Sequence, residues 1–231
     1  VALLLFFHLT LSSKERVGER FSRSYVLFDI CNLLLVNGLF LTFSRAAWIA
    51  FFVGLIVYAI QTKAWREKIF LQLTLLLVVI VTVLTVLFFP LVRTRIGGGS
   101  RLEIQSNQER ATGYREAVQL IKVHPFFGVG IGSYTVAVAR ELRPSDPAWS
   151  YQPAHNVFLL ILSELGMVGF IFLLGWIWQT RKFLLHNFYF IIPLIILSLF
   201  DHSLWTLHSG ILLLWFVFAL TFFHKEHMIT S

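Results

Sequence analysis

Six long apolar segments, separated by polar stretches, dominate the pattern of the chain. They cover residues 26–43, 46–61, 69–90, 156–178, 187–200 and 210–223. An α-helix needs about 20 apolar residues to cross a hydrocarbon core of about 30 Å. The longer segments therefore predict transmembrane helices, and the last two predict short, tilted or partly interfacial ones. Residues 1–11 look like the end of another span, and no initiating Met precedes Val1, so we expect a truncated single membrane domain over residues 1–231.

The boundary between the first two segments carries a charge. The sequence there is Thr42-Phe43-Ser44-Arg45-Ala46-Ala47-Trp48, which also permits one overlong helix. We predict two helices, because an arginine in the middle of a lipid-facing span costs at least about 2.5 kcal/mol on insertion scales. Arg45 then either binds phosphate oxygens through its planar guanidinium or extends to the membrane interface.

The short connections predict an orientation. If the spans alternate, the basic clusters of these connections fall on one side, which the positive-inside rule makes cytoplasmic. These clusters are Lys14 to Arg23, Lys63 to Lys68, Arg181 with Lys182, and Lys225. The Arg45 boundary, the long polar segment 91–155 and the turn from Asp201 to Ser209 then share the extracytoplasmic side.

The segment 91–155 is the one long polar loop of the pattern. Within it, apolar or aromatic residues at Ala111, Tyr114, Val118 and Ile121 have helical spacing, which predicts an amphipathic helix over residues 107–123 on the membrane surface. Arg110, four residues before Tyr114, would share a face with it. Upstream, the glycines of residues 97–100 predict a flexible hinge.

Composition supports a membrane protein. The chain is 57% hydrophobic and 13% charged, against roughly 45–50% and about 25% in globular proteins. The net charge of +7 lies in short clusters between apolar spans, so no nucleic-acid partner is predicted. A single Cys31 excludes a disulfide framework. Since no group of metal-ligating residues has a suitable sequence spacing, we predict neither a metal nor a cofactor.

His155 is the sharpest candidate for chemistry. It stands where the fourth apolar segment begins and is followed by Asn156. An imidazole with a pKa near ~6.5 accepts a proton at neutral pH. A polar residue at this place can equally cap the helix or anchor it at the interface. Position alone leaves both interpretations open.

Three further positions are candidates. Glu164 is an intramembrane carboxylate, which could pair with an arginine such as Arg45. Asp201 lies at the second extracytoplasmic turn, where it could bind substrate or form an ion pair. Gly130 belongs to a glycine series that follows no strand, which excludes a dinucleotide-binding motif and leaves close packing or contact with an anion.

Five motifs of the chain resemble, in order and spacing, the O-antigen ligase and polymerase superfamily. They are Thr42 to Trp48, Glu109-Arg110 with Tyr114, His124 to Gly132, His155 to Leu159, and Glu164 to Gly169. The resemblance implies an all-α, polytopic transmembrane helix bundle of the GT-C type, with one large periplasmic loop, in the bacterial inner membrane. It also implies transfer of a glycan from an undecaprenyl-pyrophosphate donor to a glycan, lipid or protein acceptor.

The resemblance further implies roles for residues. His155 would act as the base, and Arg45 and Arg110 would hold the pyrophosphate without a metal. Tyr114 stands where the family often has Trp, and Asp201 remains a candidate for substrate binding. The supporting residues would be Glu164, Asn156 and Gly130.

Two other functions compete with ligase activity. A polymerase of the same superfamily would share these motifs and differ in its acceptor. A transporter of lipid-linked sugars would have ionisable residues and broken helices near the membrane midplane and usually an internal repeat. Only Glu164 and Pro193 favour the transporter, because the cations cluster at one face and no repeat is evident.

Overall fold

A computed structural model describes residues 34–42, 44–97 and 101–229 of the chain. Within these ranges the chain is helical and contains no strand, which confirms the all-α prediction. Residues 34–41 are helical. The helices that follow are α1 (Arg45–Thr62), α2 (Lys68–Leu87), α3 (Phe89–Gly97), α4 (Arg101–Val123), α5 (Tyr134–Ala137), α6 (Val157–His186), α7 (Phe188–Phe200), α8 (Ser203–Thr206) and α9 (His208–Ile229).

Three stretches of the described residues are long and apolar enough to cross a membrane. They are Arg45–Thr62, Phe70–Leu87 and Val157–Lys182. The remaining apolar helices, Phe188–Phe200 and His208–Ala219, are shorter, as the sequence pattern predicts. Half of the predicted span over 26–43 falls outside the described residues, and Cys31 lies in that half.

The Arg45 boundary is a break between two helices. Ser44 has an extended backbone, and its hydroxyl accepts a hydrogen bond of 3.3 Å from the amide of Ala47. A serine in this position is a strong N-cap because it satisfies a free amide of the first turn. Arg45 is the first residue of α1, and its side chain is exposed. The prediction of two helices holds.

The segment after α2 is more helical than predicted. Residues 89–97 form α3 directly after α2, and α4 begins at Arg101 instead of residue 107. Gly97 ends α3, and the rest of the predicted hinge, residues 98–100, lies outside the described residues. The polar composition of this segment did not predict these additional helical turns, because charged side chains are as compatible with an exposed helix as with a loop.

Contacts divide the chain into two compact units. The first is Val1–Ser100 with Phe188–Pro193, and the second is Arg101–Asn187 with Leu194–Ser231. In the first unit, Tyr58 of α1 packs edge-on against Tyr189, with ring centroids 5.2 Å apart. The amide of Tyr189 also donates a hydrogen bond to the side chain of Gln61.

The second unit has its core where α4 meets α6. This core consists of Ala117, Leu120, Tyr134, Ala137, Val138, Ala154 and Leu160. Small residues let α4 pack closely against the segment that precedes α6. A Cβ added to Gly113 would lie only 3.3 Å from the Cα of Ala154. The apolar positions that predicted α4 are offset from this buried face, and Ala111 and Val118 remain exposed.

An interruption of α6 at Gly166 holds the segment from Pro125 to Gly130. Gly166 has φ +64° and a non-helical backbone. The amides of Met167 and Val168 donate to the carbonyls of Pro125 and Phe126, and the carbonyls of Ser163 and Glu164 accept from Val129 and Gly130. The backbone groups released by the break are thus satisfied inside the protein, which a membrane environment requires.

Candidate functional site

Three elements of the second unit meet around His155. His155 lies two residues before α6, Arg110 and Tyr114 lie on α4, and Asp201 and His202 lie between α7 and α8. The Tyr114 hydroxyl donates a hydrogen bond of 3.1 Å to the carbonyl oxygen of His155. Residues far apart in sequence are thereby brought to the start of an apolar helix.

Asn156, and not His155, caps α6. The Oδ1 of Asn156 accepts a hydrogen bond of 3.0 Å from the amide of Leu159, which is the usual N-cap geometry. The Nδ2 of Asn156 donates to the carbonyl of Leu199, at 3.2 Å, and so links the start of α6 to the end of α7. The sequence left open whether His155 serves as a cap. In the structure its imidazole is not needed for that purpose.

The His155 imidazole is half-buried and faces a second histidine. Its ring centroid is 5.0 Å from that of His202. Among the described residues, none forms a hydrogen bond with its buried Nδ1 atom. Burial lowers the pKa of His155 below its ordinary value, the electrostatic effects of His202 and Arg110 lower it further, and Asp201 and Glu109 oppose the shift. The imidazole is therefore neutral at neutral pH and can accept a proton.

Arg110 lies one helical turn before Tyr114. Its side chain is half-buried, and within the described part of the chain its buried Nε has no hydrogen-bond partner. Its positive charge lowers the pKa of His155, so the guanidinium and the imidazole interact electrostatically. A guanidinium with a donor still to be satisfied suits a carboxylate or phosphate ligand.

Asp201 and His202 are held by the short turn that begins α8. Asp201 Oδ1 accepts a hydrogen bond of 2.7 Å from the amide of Ser203. His202 Nδ1 lies 2.6 Å from the hydroxyl of Thr206. Asp201 was predicted as a candidate from the sequence and His202 was not, although the two residues are adjacent. The signal was weak, because α6 and α7 separate this turn from His155 along the chain.

His155, Asp201 and His202 also form a possible cation site. Each offers one ligand atom, and these atoms all lie within 4.8 Å of one another. Two imidazoles and a carboxylate are a donor set that Zn²⁺ and related ions take. The sequence spacing did not predict this cluster, because His155 precedes α6 whereas Asp201 and His202 follow α7. The three residues meet only because the fold brings the start of α6 to the end of α7.

Glu164 has a supporting position. It is 2% exposed, and its two oxygens accept hydrogen bonds from the amide of Tyr134, at 3.3 Å, and from the indole of Trp205, at 2.8 Å. It therefore ties α5 and α8 to α6. The expected pairing with Arg45, which belongs to the first unit, remains a prediction.

Gly130 contributes to packing. Its amide donates a hydrogen bond of 2.9 Å to the carbonyl of Glu164, at the α6 interruption. Of the two interpretations of the glycine series, this contact supports close packing, because the amide that an anion would need is already bonded.

A family model described as O-antigen ligase matches residues 30–174. The matched range covers more than half of the chain and includes Arg45, Arg110, Tyr114, His155 and Glu164, whereas Asp201 lies beyond it. No curated protein and no solved structure matches the chain.

Proposed function

Because the chain belongs to the O-antigen ligase family, we propose that it transfers a glycan from an undecaprenyl-pyrophosphate donor to an acceptor hydroxyl. Membrane glycosyltransferases of the ligase and polymerase type make up this family, and the apolar helices suit a membrane location. The observation that carries the proposal is the His155 imidazole, which is half-buried and has a pKa that burial and the charge of Arg110 lower.

The reaction needs two kinds of assistance. The anomeric carbon already carries a pyrophosphate leaving group, so an enzyme must remove the acceptor proton and neutralise the charge that grows on the departing phosphate. His155 takes the proton from the acceptor hydroxyl. The acceptor oxygen then bonds to the anomeric carbon, and the bond to the pyrophosphate oxygen breaks with its electron pair. Direct displacement inverts the anomeric configuration.

Arginines supply the neutralisation in this proposal. Arg110 is the candidate within the second unit, because its charge acts on His155. Arg45, exposed at the first turn of α1, is assigned the same role through the family motif. A guanidinium binds phosphate oxygens in a bidentate way, so the proposed mechanism requires no metal.

The remaining site residues act on His155. Tyr114 holds its backbone carbonyl, and Asn156 fixes the start of the helix that follows. Asp201 and His202 set its pKa in opposite directions. We place this chemistry on the extracytoplasmic face of the bacterial inner membrane, because the basic clusters of the short connections fall on the other side.

A transporter function is favoured by one observation, the interruption of α6 at Gly166. Transporters use such breaks to bind substrate with freed backbone groups. Here backbone groups next to the break bond to residues 125–130 instead. The break therefore serves the packing of the protein, and glycosyl transfer remains the preferred function.

Product analysis tests the proposal and separates ligase from polymerase. Purified full-length protein would be incubated with a defined undecaprenyl-pyrophosphate oligosaccharide, with or without a second acceptor, and the products identified by mass spectrometry. Glycan joined to the second acceptor supports a ligase, and lengthened lipid-linked glycan supports a polymerase. Unchanged donor in both reactions would contradict both enzymes.

A further inference from the structure

A cleft of about 270 Å³, lined mostly by residues with polar side chains, opens beside His155 within the second unit. One wall belongs to α4, and the other belongs to residues 143–153. Side chains that line it include Gln105, Gln108, Glu109, Glu116, Trp149 and Gln152. The cleft thus extends the site from the proposed base along the surface of α4.

The lining has the chemistry of a saccharide site. Amide groups both donate and accept hydrogen bonds, as sugar hydroxyls do. Trp149 is 81% exposed and offers an aromatic face to the apolar side of a sugar ring. The lining carboxylates, Glu109 and Glu116, disfavour an anionic ligand. The basic residue of the lining, Arg143, is already ion-paired with Glu116 at 2.9 Å and with Asp146 at 3.2 Å.

The wall that carries Trp149 is held in place before any ligand arrives. Arg143 donates a hydrogen bond of 3.3 Å to the carbonyl of Ser150, and its guanidinium lies 5.4 Å from the centre of the Tyr151 ring. The Tyr151 hydroxyl donates to the carbonyl of Asp146 at 2.8 Å. A wall fixed in this way loses less conformational entropy on binding, which favours affinity.

Glu116 joins the two walls of the cleft. It is 6% exposed, and its Oε1 forms an ion pair with the Nε of Arg143 at 2.9 Å. Burial raises the pKa of this carboxyl group, and the Arg143 charge opposes the shift. Because Glu116 lies on α4 and Arg143 lies on the opposite wall, this ion pair links the two walls beside His155.

We propose that this cleft binds a neutral saccharide, stacked on Trp149 and hydrogen-bonded by Gln152, next to the His155 imidazole. The saccharide belongs to the acceptor or to the glycan of the donor. In either case the inference rests on the proposed glycosyl transfer, because it places a sugar ring beside the proposed base.

The first test compares transfer kinetics of full-length Trp149→Ala and Gln152→Ala with the wild type. Both side chains are exposed, so their removal should leave folding intact. Trp178→Ala is the matched control, because Trp178 is a 66% exposed indole outside the cleft. We expect Trp149→Ala to raise the KM for either the donor or the acceptor about tenfold, as for the loss of an aromatic anchor. Trp149→Phe should restore most of the affinity, and the control should match the wild type.

The arms of this experiment identify the source of the saccharide. A rise confined to the acceptor KM assigns the cleft to the acceptor, and a rise confined to the donor KM assigns it to the glycan of the donor. Wild-type KM values for both substrates in both cleft variants would overturn the inference while leaving the proposed transfer intact.

A binding measurement keeps the inference testable without activity. Saturation-transfer NMR would be recorded on full-length protein with the neutral oligosaccharide of the tested substrate. We expect sugar-proton signals for the wild type and for Trp178→Ala, and their loss for Trp149→Ala. Equal signals in all three proteins would overturn the saccharide site, and binding without any transfer would instead contradict the proposed function.

Discussion

The Tyr114 hydroxyl donates a 3.1 Å hydrogen bond to the carbonyl oxygen of His155. The bond joins α4, which also carries Arg110, to the residue on which the proposed chemistry depends. It fixes the backbone of His155 and leaves the imidazole available. The family's motif pair on α4 and its histidine before α6 are thus parts of one structural unit.

Tyr114→Phe removes this bond and keeps the aromatic ring. A neutral hydrogen bond contributes about 1 kcal/mol, so we expect a loss of roughly fivefold in kcat through poorer positioning of His155. Tyr114→Trp retains an N–H donor and should recover part of the rate. Steady-state kinetics with a saturating donor would measure the effect. Equal rates for Tyr114→Phe and the wild type would show that the bond does not position the base.

The pH dependence of kcat/KM should report the lowered pKa of His155. A base works only when it is unprotonated, so activity should fall as the pH falls through this pKa. Because burial, His202 and Arg110 lower the value, the acidic limb should lie below the ordinary histidine pKa of 6.5. A limb at or above 6.5 would contradict the described environment.

Two neighbours of His155 should move this limb in opposite directions. His202→Gln removes a group that lowers the pKa of His155, so that pKa should rise and the acidic limb should shift to higher pH. Asp201→Asn removes a negative charge and should shift it to lower pH. His208→Ala, an exposed histidine at the start of α9, serves as the control and should leave the profile unchanged. Shifts of the same sign for both variants would contradict the assignment.

Metal ions should inhibit the reaction. In the proposed mechanism arginines neutralise the pyrophosphate, so a chelator such as EDTA should leave the rate unchanged. Excess Zn²⁺ should slow the wild type, because His155, Asp201 and His202 can take the ion and the base then loses its lone pair. Asp201→Asn should weaken this inhibition. Activity lost to EDTA and restored by a divalent ion would contradict a metal-independent mechanism.

The break in α6 makes Gly166 sensitive to substitution. A Cβ there would clash with the carbonyl oxygen of Phe126, and the φ of +64° disfavours other residues. We expect Gly166→Ala to destabilise the protein by at least ~1–3 kcal/mol and lower its thermal unfolding temperature. Gly175→Ala in the same helix is the control, since a Cβ there meets nothing within 4 Å. Equal unfolding temperatures would contradict the packing of residues 125–130 against α6.

Much of this architecture could be predicted from the sequence, because membrane spans depend on local composition. The apolar runs predicted the long helices, and the free-energy cost of burying Arg45 in a span predicted the break before α1. The interruption at Gly166 was not predictable from the apolar pattern, which continues through it. Only the docking of residues 125–130 supplies partners for the backbone groups of that break.

The sequence predicted several of the residues that lie around His155, such as Arg110, Tyr114 and Asp201, but not their individual roles. His155 and Asn156 are adjacent, and sequence order could not show which of them caps α6. The structure assigns the cap to Asn156 through its bond to Leu159. His202 was missed because two helices separate it from His155 along the chain. The bond between Asn156 and Leu199 joins the start of α6 to the end of α7, where the two imidazole rings meet.

The central claim is that His155 removes the acceptor proton. The most direct measurement is single-turnover transfer by purified full-length His155→Ala and His208→Ala, with saturating lipid-linked donor and acceptor. We predict that His155→Ala loses at least about 10²-fold in rate, as expected for a general base, while it still binds the donor. His208→Ala should match the wild type. Transfer by His155→Ala at the wild-type rate would contradict the account.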